Sequence, residues 1–251
     1  MRITPQIRSN EKRKRLQALR IGRTYAPRLS KARQKELERV LGLAKNYPID
    51  EWEKVLPKKI NEKYLLGWYS DMFMGVGLPA GKEAVNEFLN RKADIWEDTL
   101  SKWIKKNGGA KIKIISEGFK DWFRGAVKEA IKDQQESVEQ MTKLLYDNVT
   151  NFYKDVQEWQ IRRIVQTESL SALSVAQDES IKSLGVPFTK TWVISGNNTR
   201  PAHAEMDGMT VDEDEPLIVD GEEMMFPRDD SMGASAGNII NCACTCIRTP
   251  K

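Results

Sequence analysis

The feature that most constrains the fold is a change in hydrophobic period near Leu184-Gly185. Before this point, apolar residues recur every three or four positions over long stretches, as amphipathic helices require. After it, short runs rich in β-branched residues alternate with turn-forming residues. The sequence therefore predicts an α+β chain: a mostly helical N-terminal and middle region, followed by a small C-terminal α+β module with an antiparallel sheet.

The helical part is divided by its glycines, prolines and asparagines. Residues 1–29 are interrupted by Pro5, Gly22 and Pro27, so we expect an extended or partly disordered leader there. The cluster from Gly75 to Gly81 is expected to break the chain, and Asn107-Gly108-Gly109 is expected to end a helix. The predicted helices are Lys31–Lys45 (capped by Ser30), Lys82–Lys106, Lys111–Gln135 and Ser137–Leu184.

The C-terminal part contains the predicted strands. Val186–Ile194 is rich in β-formers, and two apolar runs flank Asp220-Gly221 as a hairpin. Ile239–Ile247 alternates as a strand, which would place Ile240, Cys242, Cys244 and Cys246 on one face. The sequence therefore predicts three segments: a basic leader with the first helix (1–45), a helical region (46–159) and the C-terminal module (160–251).

The charge of the chain is strongly polarised. Residues 1–45 carry fourteen basic and three acidic side chains, a net charge of +11, whereas the remainder carries 26 basic and 33 acidic side chains, a net charge of −7. Such a leader suits contact with an acidic partner, nucleic acid included, although a solvated basic helix that binds nothing is the alternative. The candidate contact residues are Arg8, Lys12, Arg13, Lys14, Arg15, Arg20 and Arg23.

The composition argues against a membrane-spanning protein and against a secreted one. No apolar run reaches the roughly 18 residues that span a bilayer, and no apolar segment follows the N-terminal charges, so we expect a soluble protein without a signal peptide. The three cysteines are clustered and odd in number, which is typical of a reducing compartment.

The single histidine and the cysteines are the residues best suited to chemistry. His203 follows Pro201, which can open a short helix capped from Thr199. If the fold brings His203 to Cys242 and Cys244, these three soft ligands can hold zinc, with a fourth ligand still missing. The favoured interpretation of the cysteines is that they are buried core residues. A third interpretation is a catalytic pair in which a cysteine is the nucleophile and His203 the base.

Several short motifs in residues 160–250 together resemble one protein family. The motifs are Arg162-Arg163-Ile164-Val165-Gln166-Thr167-Glu168, Trp192, Thr199-Arg200-Pro201-Ala202-His203, Met206-Asp207-Gly208, Val211, Phe226-Pro227-Arg228-Asp229 and Asn241-Cys242-Ala243-Cys244. In order and spacing they resemble the phage Mu protein F-like, or phage head morphogenesis, family of minor capsid proteins. Some relatives carry cysteines at the positions of Arg200 and His203, which would complete a four-cysteine zinc site.

The resemblance implies a non-enzymatic minor capsid protein of a tailed phage or prophage. Its expected partners are the portal protein, other head proteins and packaged DNA, with several copies per particle and no membrane in the assembled head. Its expected location is the virion, inside the capsid or at the portal vertex, and the host cytoplasm during assembly. We expect Glu168 and Arg200 to form an ion pair. The expected motif residues are Glu168, Trp192, Arg200, His203, Asp207, Gly208, Asn241, Cys242 and Cys244.

Two other functions stay open at this point. The first is an enzyme that uses His203, Glu168 and Cys242 or Cys244. The second is a non-specific DNA-binding protein that acts through the basic leader, since phosphate contacts need Lys and Arg but no sequence specificity.

Overall fold

The computed structural model of the chain describes residues 3–89, 97–132, 137–196 and 199–251. The predicted α+β class is confirmed: a long helical region precedes short antiparallel strands. No described helix is long and apolar enough to cross a membrane. The elements are α1 Pro5–Arg23, α2 Ala26–Leu43, α3 Trp52–Val55, α4 Lys63–Leu89, α5 Glu97–Ala130, α6 Val138–Lys182, β1 Phe188–Val193, α7 Pro201–Glu205, β2 Thr210–Asp212, β3 Leu217–Val219, β4 Glu222–Met224, α8 Ala236–Ile239 and β5 Thr245–Pro250.

The expected extended leader is wrong, because residues 5–23 form helix α1. The hydroxyl of Thr4 accepts a hydrogen bond from the Ile7 amide, and Pro5 occupies the first turn, where its missing N–H leaves no bond unmade. Pro27 likewise lies in the first turn of α2, which begins before the predicted Ser30 cap. The prolines therefore mark helix starts.

The glycine-rich breaks predicted in the middle of the chain are wrong as well. Helix α4 continues through Pro79 and its neighbouring glycines, and α5 continues through Asn107-Gly108-Gly109. A Cβ at Gly77 would lie 2.5 Å from a Leu100 methyl carbon, and one at Gly81 would lie 2.4 Å from the Ser180 hydroxyl. These glycines allow close helix packing. The predicted helix Lys82–Lys106 also includes residues 90–96, which lie outside the described part.

By contacts, the chain divides into two compact units. The helical unit contains residues 25–70 and 105–162. Its core joins apolar side chains of α2, α3, α5 and α6, and it is anchored by the buried Trp52, whose indole donates to the Tyr47 carbonyl at 3.0 Å. Trp68 donates in the same way to the Tyr25 carbonyl at 2.9 Å.

The sheet unit contains residues 1–24, 71–104 and 163–251. Its three-stranded antiparallel sheet has the order β2-β1-β5, and β3 and β4 form the predicted hairpin. Trp192 on β1 lies opposite Cys246 on β5 and is fully buried. The strand predicted for Ile239–Ile247 is wrong, because residues 236–239 are helical and pairing begins only at Thr245.

Replacement of Gly22 tests how closely α1 packs in the sheet unit. A Cβ at this position would lie 1.7 Å from the Ser169 hydroxyl and 2.7 Å from the Ser169 Cβ. We expect Gly22→Ala to lower the free energy of unfolding by about 1–3 kcal/mol through overpacking, despite the better helix propensity of alanine. Urea unfolding monitored by circular dichroism measures the change.

Gly42→Ala is the matched control, since Gly42 lies in α2 and a Cβ added there would meet nothing within 4 Å. It is expected to stabilise by about 0.5–1 kcal/mol. A Gly22→Ala variant as stable as the parent would contradict the close packing, and Ser169→Gly in the same chain should restore the loss.

Candidate metal centre and its polar surroundings

The candidate site is built around His203, which is 1% exposed in the short helix α7. Its Nδ1 lies 3.5 Å from the Cys242 sulfur and 3.7 Å from the Cys244 sulfur. The Trp192 ring meets the imidazole edge to face at a centroid distance of 5.7 Å. Helix α7 has Arg200 as its N-cap residue, not the predicted Thr199, whose hydroxyl bonds the Gly196 carbonyl instead.

The two cysteines reach His203 from the turn between α8 and β5. Asn241 has a φ of 58°, a left-handed conformation that asparagine tolerates better than most residues. The reversal directs Cys242 and Cys244 inward, where they are 3% and 1% exposed. The strand alternation predicted for them is therefore replaced by a turn, and Cys246 on β5 is not part of the cluster.

The protonation of the cluster follows from its hydrogen bonds. The pKa of Cys242 is held well below its usual range, chiefly because Cys244 donates a hydrogen bond to it and also because it bonds with His203. The hydrogen bond to Cys242 raises the pKa of Cys244, which is the donor. The pKa of His203 is raised, chiefly by its bond with Cys242. The hydrogen bond between the two cysteines thus drives their pKa values in opposite directions.

The two nitrogen–sulfur distances fit a tetrahedral zinc site. Zinc bonds of about 2.3 Å to sulfur and about 2.0 Å to nitrogen place the two ligand atoms about 3.5 Å apart at a tetrahedral angle. The ligand atoms of His203, Cys242 and Cys244 lie within 4.8 Å of one another. In the described ranges no other histidine, cysteine or carboxylate joins them, so the fourth position would fall to water or another donor.

The orientation of the imidazole is also that of a metal ligand. Its Nε2 lies 3.1 Å from Oδ1 of Asn238, while the Asn238 amide nitrogen donates to Glu222 at 2.7 Å and to the Val219 carbonyl at 3.3 Å. Because Oδ1 must then accept, Nε2 carries a proton, which leaves the lone pair of neutral His203 on Nδ1, facing the sulfurs.

Arg228 holds the turn that carries the cysteines. It is fully buried, and its guanidinium donates to the carbonyls of Cys242 at 2.9 Å and Cys244 at 2.8 Å. Its other terminal nitrogen donates to the Leu170 carbonyl and the Ser174 hydroxyl of α6. Burial lowers its pKa. This side chain joins helix α6 to the cysteine turn.

Other motif residues fasten the neighbouring loops. Arg200 donates to the Ile240 carbonyl, and the Asn241 amide donates to the Thr167 hydroxyl at 3.3 Å. Asp207 accepts from the Ile194 amide at 3.1 Å, and the Gly208 amide donates to the Trp192 carbonyl at 2.9 Å. The proposed Glu168–Arg200 pair stays a prediction.

Four of the seven candidate contact residues on α1 contact other residues of the sheet unit, although Arg13 itself is exposed. Arg8 forms an ion pair with Asp207, and Arg13 forms one with Glu83. Burial opposes ionisation of Asp207, but the bonds from Arg8 and the Ile194 amide outweigh it and lower its pKa.

The other two of these four residues, Lys14 and Arg15, are buried. Lys14 binds Glu11 at 2.9 Å and also contacts Glu87. Arg15 donates to the carbonyls of Ala243 at 3.2 Å and Ser195 at 3.3 Å. Lys12, Arg20 and Arg23 are exposed. Helix α1 therefore uses part of its basic charge for contacts within the sheet unit.

Sequence reasoning missed the roles of Arg228 and Asn238, and a buried charge cluster around Asp178. Asp178 binds Arg248 at 3.3 Å and Lys182 at 2.8 Å, and burial lowers the pKa of the nearby Lys190. Arg228 lies within one of the sequence motifs, but nothing in the sequence distinguishes it from a surface arginine.

Comparison with known proteins finds no matching family model and no matching solved structure. The chain is 36% identical over 92 residues to the NAD(+)–arginine ADP-ribosyltransferase EFV of Enterococcus faecalis, covering 35% of this chain and 18% of that protein. It is 39% identical over 83 residues to the uncharacterized protein YqbB of Bacillus subtilis, covering 31% of this chain and 27% of that protein. The chain thus spans less than a third of the length of either relative.

Proposed function

We propose that this chain is a structural minor capsid protein of head morphogenesis in a tailed phage, associated with the portal and the interior of the head. The observation that carries the proposal is the burial of its chemistry-bearing side chains. His203, Cys242 and Cys244 are each at most 3% exposed, so they fasten the module rather than face a substrate. A catalytic site would need an open position for its substrate.

The contacts of the motif residues give further support. Residues separated by up to 74 positions, such as Thr167 and Asn241, meet within one folded unit. Their spacing is thus explained by contacts within this fold, and the order and spacing of the motifs are what the resemblance to head morphogenesis proteins rests on. The matched segment covers only 18% of the ADP-ribosyltransferase, so the activity in that protein's name does not by itself extend to this chain.

The function is tested by locating the protein in purified particles. We expect mass spectrometry of gradient-purified virions to detect it, and an asymmetric cryo-electron microscopy reconstruction to place it at the portal vertex or inside the head. Its absence from particles, or a position on the outer surface away from the portal, would contradict the proposal.

An activity test separates the enzyme alternative. A Cys242→Ala variant that folds should support normal infectivity if the thiol is structural. Loss of infectivity with normal particle assembly would favour an enzyme instead.

A further inference from the structure

Helix α1 carries an exposed cationic stripe on its outer face. Lys12, Arg20 and Arg23 are exposed, and Leu16, which is 53% exposed, lies among them. At 100° per residue these four positions fall within one side of the helix, over a length of about 16 Å. We call these four residues the α1 stripe.

The α1 stripe lacks compensating negative charge. Glu11, the one acidic residue in residues 1–24, is buried and bound to Lys14. Within the described ranges, no ion pair involves Lys12, Arg20 or Arg23. An exposed leucine framed by these three cations is therefore available to a partner.

A surface of opposite, negative charge lies at and just before the β3–β4 hairpin of the same unit. Between Pro201 and Pro227 the chain has nine acidic residues and no lysine or arginine. Ile218 is 51% exposed and pairs across the hairpin with the exposed Glu223. Asp220 in the hairpin turn, and Asp214 and Glu215 in the turn before β3, are also exposed and form no ion pair with the described residues. We call these five residues the hairpin patch.

We propose that the α1 stripe of one copy docks on the hairpin patch of a second copy of this chain. The two surfaces match in kind, since each combines one exposed aliphatic side chain with exposed charged residues of one sign, and the signs are opposite. Double-stranded DNA is a less suitable occupant of the stripe. Phosphate contacts would use its cations but not Leu16, and would leave the hairpin patch unmatched.

The strength of this contact follows from its chemistry. Exposed ion pairs each contribute little and are screened by salt, so we expect weak association that is lost between about 50 mM and about 500 mM salt. Sedimentation velocity of the full chain, at concentrations up to the order of 100 µM, measures it.

Charge exchange gives the decisive test. The variant Lys12→Glu/Arg20→Glu/Arg23→Glu and the variant Asp214→Lys/Glu215→Lys/Glu223→Lys should each sediment as single chains at low salt. Their equimolar mixture should associate again, to within about threefold of the parent affinity, because the reversed stripe fits the reversed patch. Circular dichroism confirms that both variants fold.

The control is Lys31→Glu/Lys35→Glu/Lys45→Glu, which reverses three exposed lysines outside the α1 stripe. It should associate as the parent does. A parent that is monomeric at low salt, or a mixture that fails to associate, overturns the proposal. If the parent stays monomeric but binds duplex DNA through the stripe, the partner is nucleic acid and the proposal is also overturned. These outcomes do not depend on whether the protein belongs to a phage head.

Discussion

Replacing Arg228 with leucine is expected to lower the free energy of unfolding of the sheet unit by about 3–5 kcal/mol. The guanidinium satisfies carbonyls of Leu170, Cys242 and Cys244 in a fully buried environment. Leucine would remove the buried donor of the Cys242 and Cys244 carbonyls, which lie outside any helix, whereas the Leu170 carbonyl keeps the backbone bond of α6. Each buried carbonyl without a donor costs about 1–3 kcal/mol. Urea unfolding followed by tryptophan fluorescence measures the loss.

Two variants make the Arg228 experiment specific. Arg228→Lys retains the charge but cannot reach all the acceptors, so it should fall between the parent and the leucine variant. Arg20→Leu makes the same chemical change at an exposed position of the same unit and should change stability by less than about 0.5 kcal/mol. Equal effects of Arg228→Leu and Arg20→Leu would show that the buried contacts contribute nothing.

Protein purified without chelators is expected to contain about one zinc ion per chain. The His203 Nδ1 lies at tetrahedral ligand spacing from Cys242 and Cys244, and Asn238 fixes the ring in the orientation that binds metal. Because a structural metal contributes its binding energy to folding, chelation should lower the melting temperature. Elemental analysis by inductively coupled plasma mass spectrometry and a thermal scan with and without chelator measure both effects.

Cysteine variants distinguish ligands from core residues. Cys242→Ser and His203→Ala should lose the zinc. Cys246→Ser should keep it, since the Cys246 thiol is buried outside the cluster and burial raises its pKa to about 12. Less than stoichiometric zinc in the parent after growth and purification in zinc-supplemented medium would establish that the two thiols, together with Arg228, form a metal-free polar core.

The parts of the fold that follow local rules were predictable. The long pattern ending near Leu184 gave α6 almost to its ends, and the turn at Asp220-Gly221 gave the β3–β4 hairpin. The helical glycines were not predictable, because Gly77 and Gly81 are needed for contacts with α6, far away in sequence. A local pattern cannot distinguish a glycine that ends a helix from one that lets two helices approach.

The sequence predicted which residues form the candidate site, but not the local structure that brings them together. His203, Cys242 and Cys244 were selected from residue type and were brought together, but by a turn at Asn241 and not by strand alternation. Arg15 shows why the other contacts around the site could not be predicted from the sequence. Its acceptors are backbone carbonyls 180 and 228 residues away, and carbonyl groups carry no sequence signature.

The contacts of α1 have a consequence for the order in which the chain folds. The ribosome makes this helix well before its partners, since Asp207 follows Arg8 by 199 residues and Ala243 follows Arg15 by 228 residues. Until those partners emerge, the buried face of α1 cannot reach its native contacts, so closure of the sheet unit is delayed. The nascent chain therefore exposes a cationic amphipathic helix during this interval, and slow closure is expected to limit the yield of native protein.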